Sequence, residues 1–422
     1  MPATHPASDE AVAADLERLF TFDDALLQDP FPLYERMRQH APVVRVGSVV
    51  AVARYEDVQR VLRGPVTFSS VRSRGSRVTD RLAGLAGADR DKYDYLVRHD
   101  LTHIGQQDPP EHERLRGFVN RVFSRSRIAA TRAEMTELAE SLLDEIEADG
   151  GGPFDLSRLS YRLPFRWMCR MLAVPEVEVE KFRGWAMDLR VGLGTNHENL
   201  EASYAATRNV DAWVRDLIAD RRARVSGADC PDEDLVSQLV AEERDGQGLT
   251  DEELVSMFTV MLTTGNTNDL ISNAVITFAA HPDQRRAALD DPAVLRNGIE
   301  ELFRFAPPVH AAHRVARVDC EIAGVPVRAG ETVRLMLASA NRDPERFADP
   351  DIFDVRRSDA RHHVDFGHGI HVCLGQWLSR LEIEVALTTL YERFGDLAPV
   401  GPVRYRRNYA FHGTDQLLVA SS

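Results

Sequence analysis

Cys373 stands among three glycines in the segment 366–375, which reads Phe366, Gly367, His368, Gly369, Ile370, His371, Val372, Cys373, Leu374, Gly375. A cysteine thiolate is a strong metal ligand, but its negative charge needs stabilising and its approach must stay open. Gly367, Gly369 and Gly375 permit backbone conformations and close contacts that a Cβ would block. Residues 374–393 are good helix formers at helical spacing. A helix starting there aims its N-terminal amides at the sulfur and lowers the thiol pKa. Two further pairs have useful spacing. Glu301 and Arg304, three apart, reach the same helix face, and an arginine fork grips a carboxylate with two bonds and stays charged when buried. His112 and Arg116, four apart, also share a face and offer two donors in one direction. The segment 262–269 sets Thr263, Thr264, Gly265, Asn266, Thr267, Asn268 and Asp269 into an otherwise apolar helical run. Polar exceptions of this kind concentrate at functional sites.

These groups must be positioned by the rest of a 422-residue chain, long enough for one large domain or two or three ordinary ones. A net charge of −15 argues against nucleic acid and against an anionic membrane surface as partners. Arginine carries almost all the positive charge, since Lys92 and Lys181 are the only lysines. The four cysteines, Cys169, Cys230, Cys320 and Cys373, are far apart and form no CxxC pair. That suggests neither a disulfide framework nor a structural metal, and a reduced, cytoplasmic chain is expected. Residues 1–10 lack the apolar core of a signal peptide, and no stretch approaches a membrane span.

Helical patterning dominates. Helices are expected over 31–37, 55–62, 112–123, 129–148, 163–172, 177–189, 200–225, 232–244 and 251–280. The longest opens on a capping box from Thr250 to Glu253 and is ended by Pro282 and Asp283. Two β-rich runs around Gly47 read as a hairpin within 43–53, and short strands are expected over 318–324, 325–333 and 417–420. The stretch 69–105 is rich in Arg, Ser, Gly and Asp with weak periodicity, and connections of that length are often functional lids.

The segment 366–375 resembles the cysteine-ligand loop of the cytochrome P-450 family, with Phe366, Gly369, His371, Cys373 and Gly375 at the fixed positions of the pattern FxxGxHxCxG. The likeness runs from about residue 31 to the C-terminus. It implies a mainly α fold: a single cytochrome P-450-like domain over 21–422, helical in bulk with small β-sheets at its edge, behind a flexible leader over 1–20. It implies haem b ligated by Cys373, with Phe366, Gly367 and Gly375 forming the loop around it. Glu301 to Arg304 match the family's ExxR, which meets a second arginine, here Arg357 with Arg356 close behind. His112 and Arg116 are similar to the family's HxxxR helix start, which implies contact with one haem propionate. Arg314 and His371 match the positions that hold the other.

His281, Pro282, Asp283 and Gln284 close the long helix in the family manner and give its register. The family usually carries an acid and then a threonine midway along this helix, where the alcohol orders water and the acid relays protons. An ungapped count puts Gly265 in the acid slot and Asn266 in the alcohol slot. A gapped alignment would make Gly265 the kink glycine and Thr267 the alcohol, but a deletion inside a helix shifts every face, which disfavours it. In either register no carboxylate falls in the usual slot, Asp269 lies about a turn further on, and Asn266 cannot serve as an acid near neutral pH. Three consequences compete. Water or substrate groups deliver the protons and hydroxylation survives; or no oxygen is inserted and the product forms by oxidative coupling or ring closure; or Asn266 binds substrate or water while Thr267 takes over.

By the same resemblance, substrate is surrounded by 69–105, 189–200, the centre of the long helix, 308–313 and 410–416. Met261, Thr264, His310, His313 and His412 are the candidate contacts. The implied activity is oxidation of a small molecule, a secondary metabolite, using dioxygen and externally supplied electrons, with hydroxylation as the default. A haem-based binding or sensing protein without turnover is the alternative from another class. The resemblance is to the bacterial type with no membrane anchor. No reductase domain accompanies the chain, so ferredoxin and ferredoxin reductase are the expected electron donors. Arg116, Arg121, Arg125 and Arg380 are the candidate basic patch for an acidic ferredoxin.

Overall fold

The computed structural model describes residues 9–71, 83–150, 152–193, 199–226, 234–241, 248–263 and 265–421. The chain groups into two compact units built from interleaved segments. The first unit comprises Met1–Ser69, Ala129–Leu163 and Asn266–Ser422, and the second Ser70–Ile128 and Pro164–Gly265.

The first unit holds the sheets. Its main sheet has five strands in the order Val43–Val46, Val49–Val52, Thr332–Met336, Ala311–Ala316, Phe68–Ser69. The first two form the expected hairpin, turned at Gly47 with φ +56°. Val49–Val52 then runs parallel to Thr332–Met336. Both central strands are buried at every position, as strands covered on both faces must be. The single strand expected over 325–333 is two, Val325–Val327 and Thr332–Met336, because a turn at Gly330 (φ +85°) separates them.

The leader expected over 1–20 is corrected over its described part. Asp9–Phe20 is a helix whose Val12, Leu16 and Leu19 are buried against Leu27, Leu33, Tyr34 and Met37. The spacing of those apolar residues makes a stripe that a helix can bury.

The Pro292–Phe305 helix begins on the Asp291 cap, whose carboxylate accepts from Ala293 N–H at 2.7 Å, with Pro292 in the first turn. Near its end Glu301 and Arg304, both 0 % exposed, form a two-bond pair of 2.7 and 2.8 Å. The Arg304 guanidinium also donates to the carbonyls of Asn341, Pro350 and Ile352. Arg357 Nε reaches Glu301 Oε1 at 3.2 Å, and its other nitrogens donate to the carbonyls of Ala348, Asp349 and Ile352. Arg357, rather than Arg356, occupies the second arginine's place.

The second unit, among the described residues, is helical. Leu200–Ser226 packs against Gly87–Leu101, Val179–Leu193, Leu235–Ala241 and Asp251–Thr263. Phe182 anchors an aromatic cluster with Trp185, Trp213 and Phe258. Part of the weakly patterned 69–105 stretch is the helix Gly87–Leu101, held to Leu200–Ser226 by Tyr95 and His99, which both bond Asp211. Residues 72–82 of the expected lid lie outside the described residues.

The helix expected over 251–280 is two helices, Asp251–Thr263 and Thr267–Ala280. Its capping box forms as read: Glu253 N–H to Thr250 Oγ1 at 3.2 Å and Thr250 N–H to Glu253 Oε2 at 2.9 Å.

This packing sets two expectations for stability. Leu16→Ala lowers the unfolding free energy by about 2–5 kcal/mol in a denaturant titration, since it opens a cavity under a packed helix; an unchanged midpoint would mean the helix is not docked. Arg304→Ala strands a buried carboxylate and costs roughly 3–5 kcal/mol. Arg357→Ala leaves the primary pair intact and costs less.

Candidate active site

The cysteine loop is built by backbone bonds. Val364 N–H donates to Asn341 Oδ1 at 2.8 Å, Gly367 N–H to the Val364 carbonyl at 2.9 Å, and Val372 N–H to the Gly369 carbonyl at 3.2 Å. Cys373 N–H then closes the loop on the Phe366 carbonyl at 2.8 Å. Gly367 (φ +69°) and Gly369 (φ +73°) take the left-handed conformation. A Cβ on Gly369 would lie 2.8 Å from the Leu62 carbonyl oxygen, so no side chain fits there. Gly375 ends the loop, and the helix begins at Gln376, two residues later than the pattern suggests, running to Phe394. A Cβ at Gly375 would lie 3.9 Å from Cys373 Sγ.

The donor set fits a metal carried in a macrocycle. Cys373 is a partly exposed cysteine three residues ahead of a 19-residue helix. Among the described residues no group of three or more His, Cys, Asp or Glu gathers to hold an ion by itself. A single protein sulfur in a glycine-lined loop would suit a metal that arrives in a flat ligand with donors of its own.

The expected propionate partners come from several elements. Arg314 lies half-buried on Ala311–Ala316, its Nη1 donating to the His313 carbonyl at 2.8 Å, and His371 is half-buried in the cysteine loop. In the second unit His112 and Arg116 share the Glu111–Val122 helix, and Arg116 Nε donates to Asn120 Oδ1 at 3.1 Å. Burial, reinforced by Arg116, pushes His112 down to about 4, so its imidazole is neutral at pH 7 and offers one N–H.

The break in the long helix revises the reading of 262–269. The objection to a gapped register assumes an unbroken helix, and Gly265 and Asn266 lie between two helices instead. That objection falls. Thr264 lies outside the described residues. Asn266 is half-buried just before the second helix, and its carbonyl accepts from Asp269 and Leu270 N–H. Thr267, by contrast, is buried with its hydroxyl 2.9 Å from Ser379 Oγ.

Beside Thr267 is an acid that sequence reading missed. Burial pushes Glu382 up to about 7, offset in part by a hydrogen bond with Thr267. It comes from the Gln376–Phe394 helix, so no local pattern could pair it with residue 267. Asp269 is fully buried and bound by Arg406 at 2.7 and 3.2 Å. A carboxylate held that way is a structural anchor rather than a proton source.

The expected substrate wall is also corrected. His310 and His412 do not line an opening: their rings stack at 4.4 Å and 13°, and Tyr405 stacks on His412 at 3.8 Å. Phe31 and Tyr34 pack edge-on against His310, and Tyr34 Oη lies 3.3 Å from its Nδ1. Burial drives both imidazoles to the neutral form, His412 down to about 4 and His310 well below its usual value. The bridge partners Val309 and Phe411 turn to the opposite face of this ribbon and are only partly buried. That alternation, invisible without the pairing, puts the two histidines on the buried face of the ribbon. Asp365, just before Phe366, accepts from Val309 N–H at 3.3 Å, and burial pushes its carboxyl well up. His313 is half-buried opposite Arg334. Met261 is buried in the second unit, lining a small cavity with Leu172, Val214, Leu239 and Phe258.

Arg380 is not a spare surface cation. It grips Glu300 with bonds of 2.6 and 2.9 Å. Arg121 lies over the Phe118 ring at 4.7 Å.

Comparison with known proteins agrees with this architecture. The family model described as Cytochrome P450 matches residues 285–400. Cytochrome P450 107B1 of Saccharopolyspora erythraea is 33% identical over 95% of this chain and 97% of its own length. The 6-deoxyerythronolide B hydroxylase of the same organism is 32% identical over 94% of this chain and 97% of its own. The crystal structure of Mycobacterium smegmatis CYP164A2 superposes with a TM-score of 0.82 at 33% identity, covering 96% of this chain and all of that one. With its cysteine loop, its Glu301–Arg304–Arg357 cluster and relatives matched along nearly their whole length, this chain belongs to the cytochrome P450 family of haem-thiolate monooxygenases.

Proposed function

We propose that the chain binds haem b through the Cys373 thiolate and hydroxylates a secondary metabolite, with electrons supplied in the cytoplasm by a ferredoxin and its reductase. The observation that carries the reading is the closed loop in which Cys373 N–H meets the Phe366 carbonyl and Gly369 admits no side chain. In the first unit Arg314 and His371 would hold a haem propionate as hydrogen-bond and charge partners, and for His112 and Arg116 the same role rests on the family resemblance alone. When bound, a haem with a thiolate ligand supplies the reductive activation of dioxygen. A relative that hydroxylates 6-deoxyerythronolide B supports a secondary metabolite as substrate class. The net charge of −15 favours no nucleic acid or anionic membrane as partner, and no helix among the described residues is long and apolar enough to cross a membrane.

The residues of this chain handle the proton. Thr267 has one hydroxyl hydrogen and two neighbours. When Glu382 is ionised, Thr267 donates to it. When Glu382 is protonated, Thr267 accepts from the acid and donates to Ser379. A carboxyl poised at about 7 can therefore pass a proton through the Thr267 oxygen at neutral pH. This supplies, from another helix, the acid missing from the usual slot of the long helix, and it favours oxygen insertion over coupling or ring closure. Val309 and Phe411 are the proposed apolar contacts for substrate, in place of His310 and His412.

Three measurements test this. The reduced protein with carbon monoxide shows the red-shifted Soret band of thiolate-bound haem, and Cys373→Ser loses it; a spectrum of histidine ligation in the wild type would refute the assignment. Thr267→Ala lowers the fraction of electrons recovered in product by roughly tenfold or more, and more than Asn266→Ala does; the reverse ranking restores the ungapped register. Glu382 is protonated below about pH 7 and ionised above it, so coupling falls as pH rises through that value, and Glu382→Gln removes the inflection. The product gains one oxygen; loss of two hydrogens instead would establish coupling or desaturation, and no turnover with any reductant would favour a sensor.

A further inference from the structure

Glu300 precedes Glu301 on the same helix but faces different partners. Its carboxylate takes Arg380 Nε on one oxygen at 2.6 Å and Nη2 on the other at 2.9 Å. His363 Nε2 approaches the second oxygen at 3.3 Å. The His363 tautomer is set by its other nitrogen: Nδ1 accepts from Asp365 N–H at 3.2 Å, so the proton sits on Nε2 and is donated to Glu300. Burial works against the Glu300 charge, yet the hydrogen bonds from His363 and Arg380 hold the carboxyl down to about 2. Burial keeps His363 neutral. The cluster thus contains one anion and one cation, fixed to each other.

Arg380 is set by this grip and by Gln376, whose carbonyl and side chain both accept from Nη1. Its guanidinium carbon lies 4.6 Å from the Phe366 ring centre and 5.2 Å from that of Trp377. Phe366 is also wedged against Phe303 at 4.4 Å and His363 at 5.5 Å. Its carbonyl receives the Cys373 N–H. A cation pinned on the face of the residue that holds the cysteine is therefore part of the cysteine's surroundings, and its charge is balanced by a carboxylate one helix away.

We propose that Arg380, held by Glu300, is a positioning residue whose charge sets the electron density at Cys373 and with it the ease of reducing the metal that Cys373 binds. The proposal rests on the haem-thiolate reading. A fixed cation favours the more electron-rich reduced state, and a fixed anion disfavours it. In a partly buried site neither charge is fully screened, so removing either leaves the other uncompensated. The two removals must therefore act in opposite directions.

The test is a spectroelectrochemical titration of the full-length, haem-loaded protein. Arg380→Met shifts the ferric–ferrous equilibrium toward ferric by roughly tenfold. Glu300→Gln shifts it toward ferrous. The double variant returns to within about twofold of wild type, and Arg380→Lys stays near wild type because it keeps the charge. A merely structural role would move both single variants the same way. Shifts of equal sign, or no shift in Arg380→Met, overturn the proposal. If Glu300→Gln fails to retain haem, Arg380→Met against Arg380→Lys decides alone: a shift that tracks charge supports the proposal, and one that appears in both refutes it. Failure of the underlying reading is distinguishable, since wild type would then lack the thiolate band with carbon monoxide before any variant is titrated.

Discussion

A carboxylate sealed from water must be met by fixed donors, and the way Glu301 is met organises the unit that carries Cys373. Arg304 grips it from the same helix and Arg357 from the later meander. Arg304 also donates to the Asn341 carbonyl, and the Asn341 side chain receives Val364 N–H at the head of the cysteine loop. From Val364 the backbone bonds run through Gly367 to Phe366 and Cys373. The sulfur's position is thus tied, bond by bond, to a buried charge that cannot relax without a large penalty. Burying ions contributes little net stability, so the gain is definition: one conformation of a loop otherwise rich in glycine.

The parts of this arrangement that were readable from sequence are those written in local spacing. Cys373 with its glycines, Glu301 with Arg304, and Thr250 with Glu253 each declare themselves within a few residues. Chain order also pointed to Arg357. What stayed hidden depends on which face of an element meets which neighbour. His310 and His412 look like polar pocket residues until the ribbon pairing turns them inward and turns Val309 and Phe411 the other way. Asp9–Phe20 looks like a loose terminus because its apolar stripe is only Val12, Leu16 and Leu19. Glu382 lies more than a hundred residues from Thr267.

On the proposed reading, the interrupted helix lets a missing group be replaced from elsewhere in space. Gly265 and Asn266 cannot continue an acid–alcohol pattern, and the local text supplies no proton donor. Ending the helix there frees the register of Thr267–Ala280 and lets Thr267 face the Gln376–Phe394 helix. Asp269 is then spent on Arg406, against the Gly413 backbone where even a methyl group would collide with it.

The interleaving of the two units has a consequence for synthesis and inheritance. The chain passes between them at 69–70, 128–129, 163–164 and 265–266, so neither unit corresponds to one continuous stretch of the gene. Neither can be excised, duplicated or exchanged between relatives by a single recombination event. On the ribosome, the opening strands wait for Ala311–Ala316 and Thr332–Met336 to emerge before their sheet can close. Nascent chains of this kind spend most of their translation with exposed edges, and their yield in a cell depends on how well chaperones cover that interval.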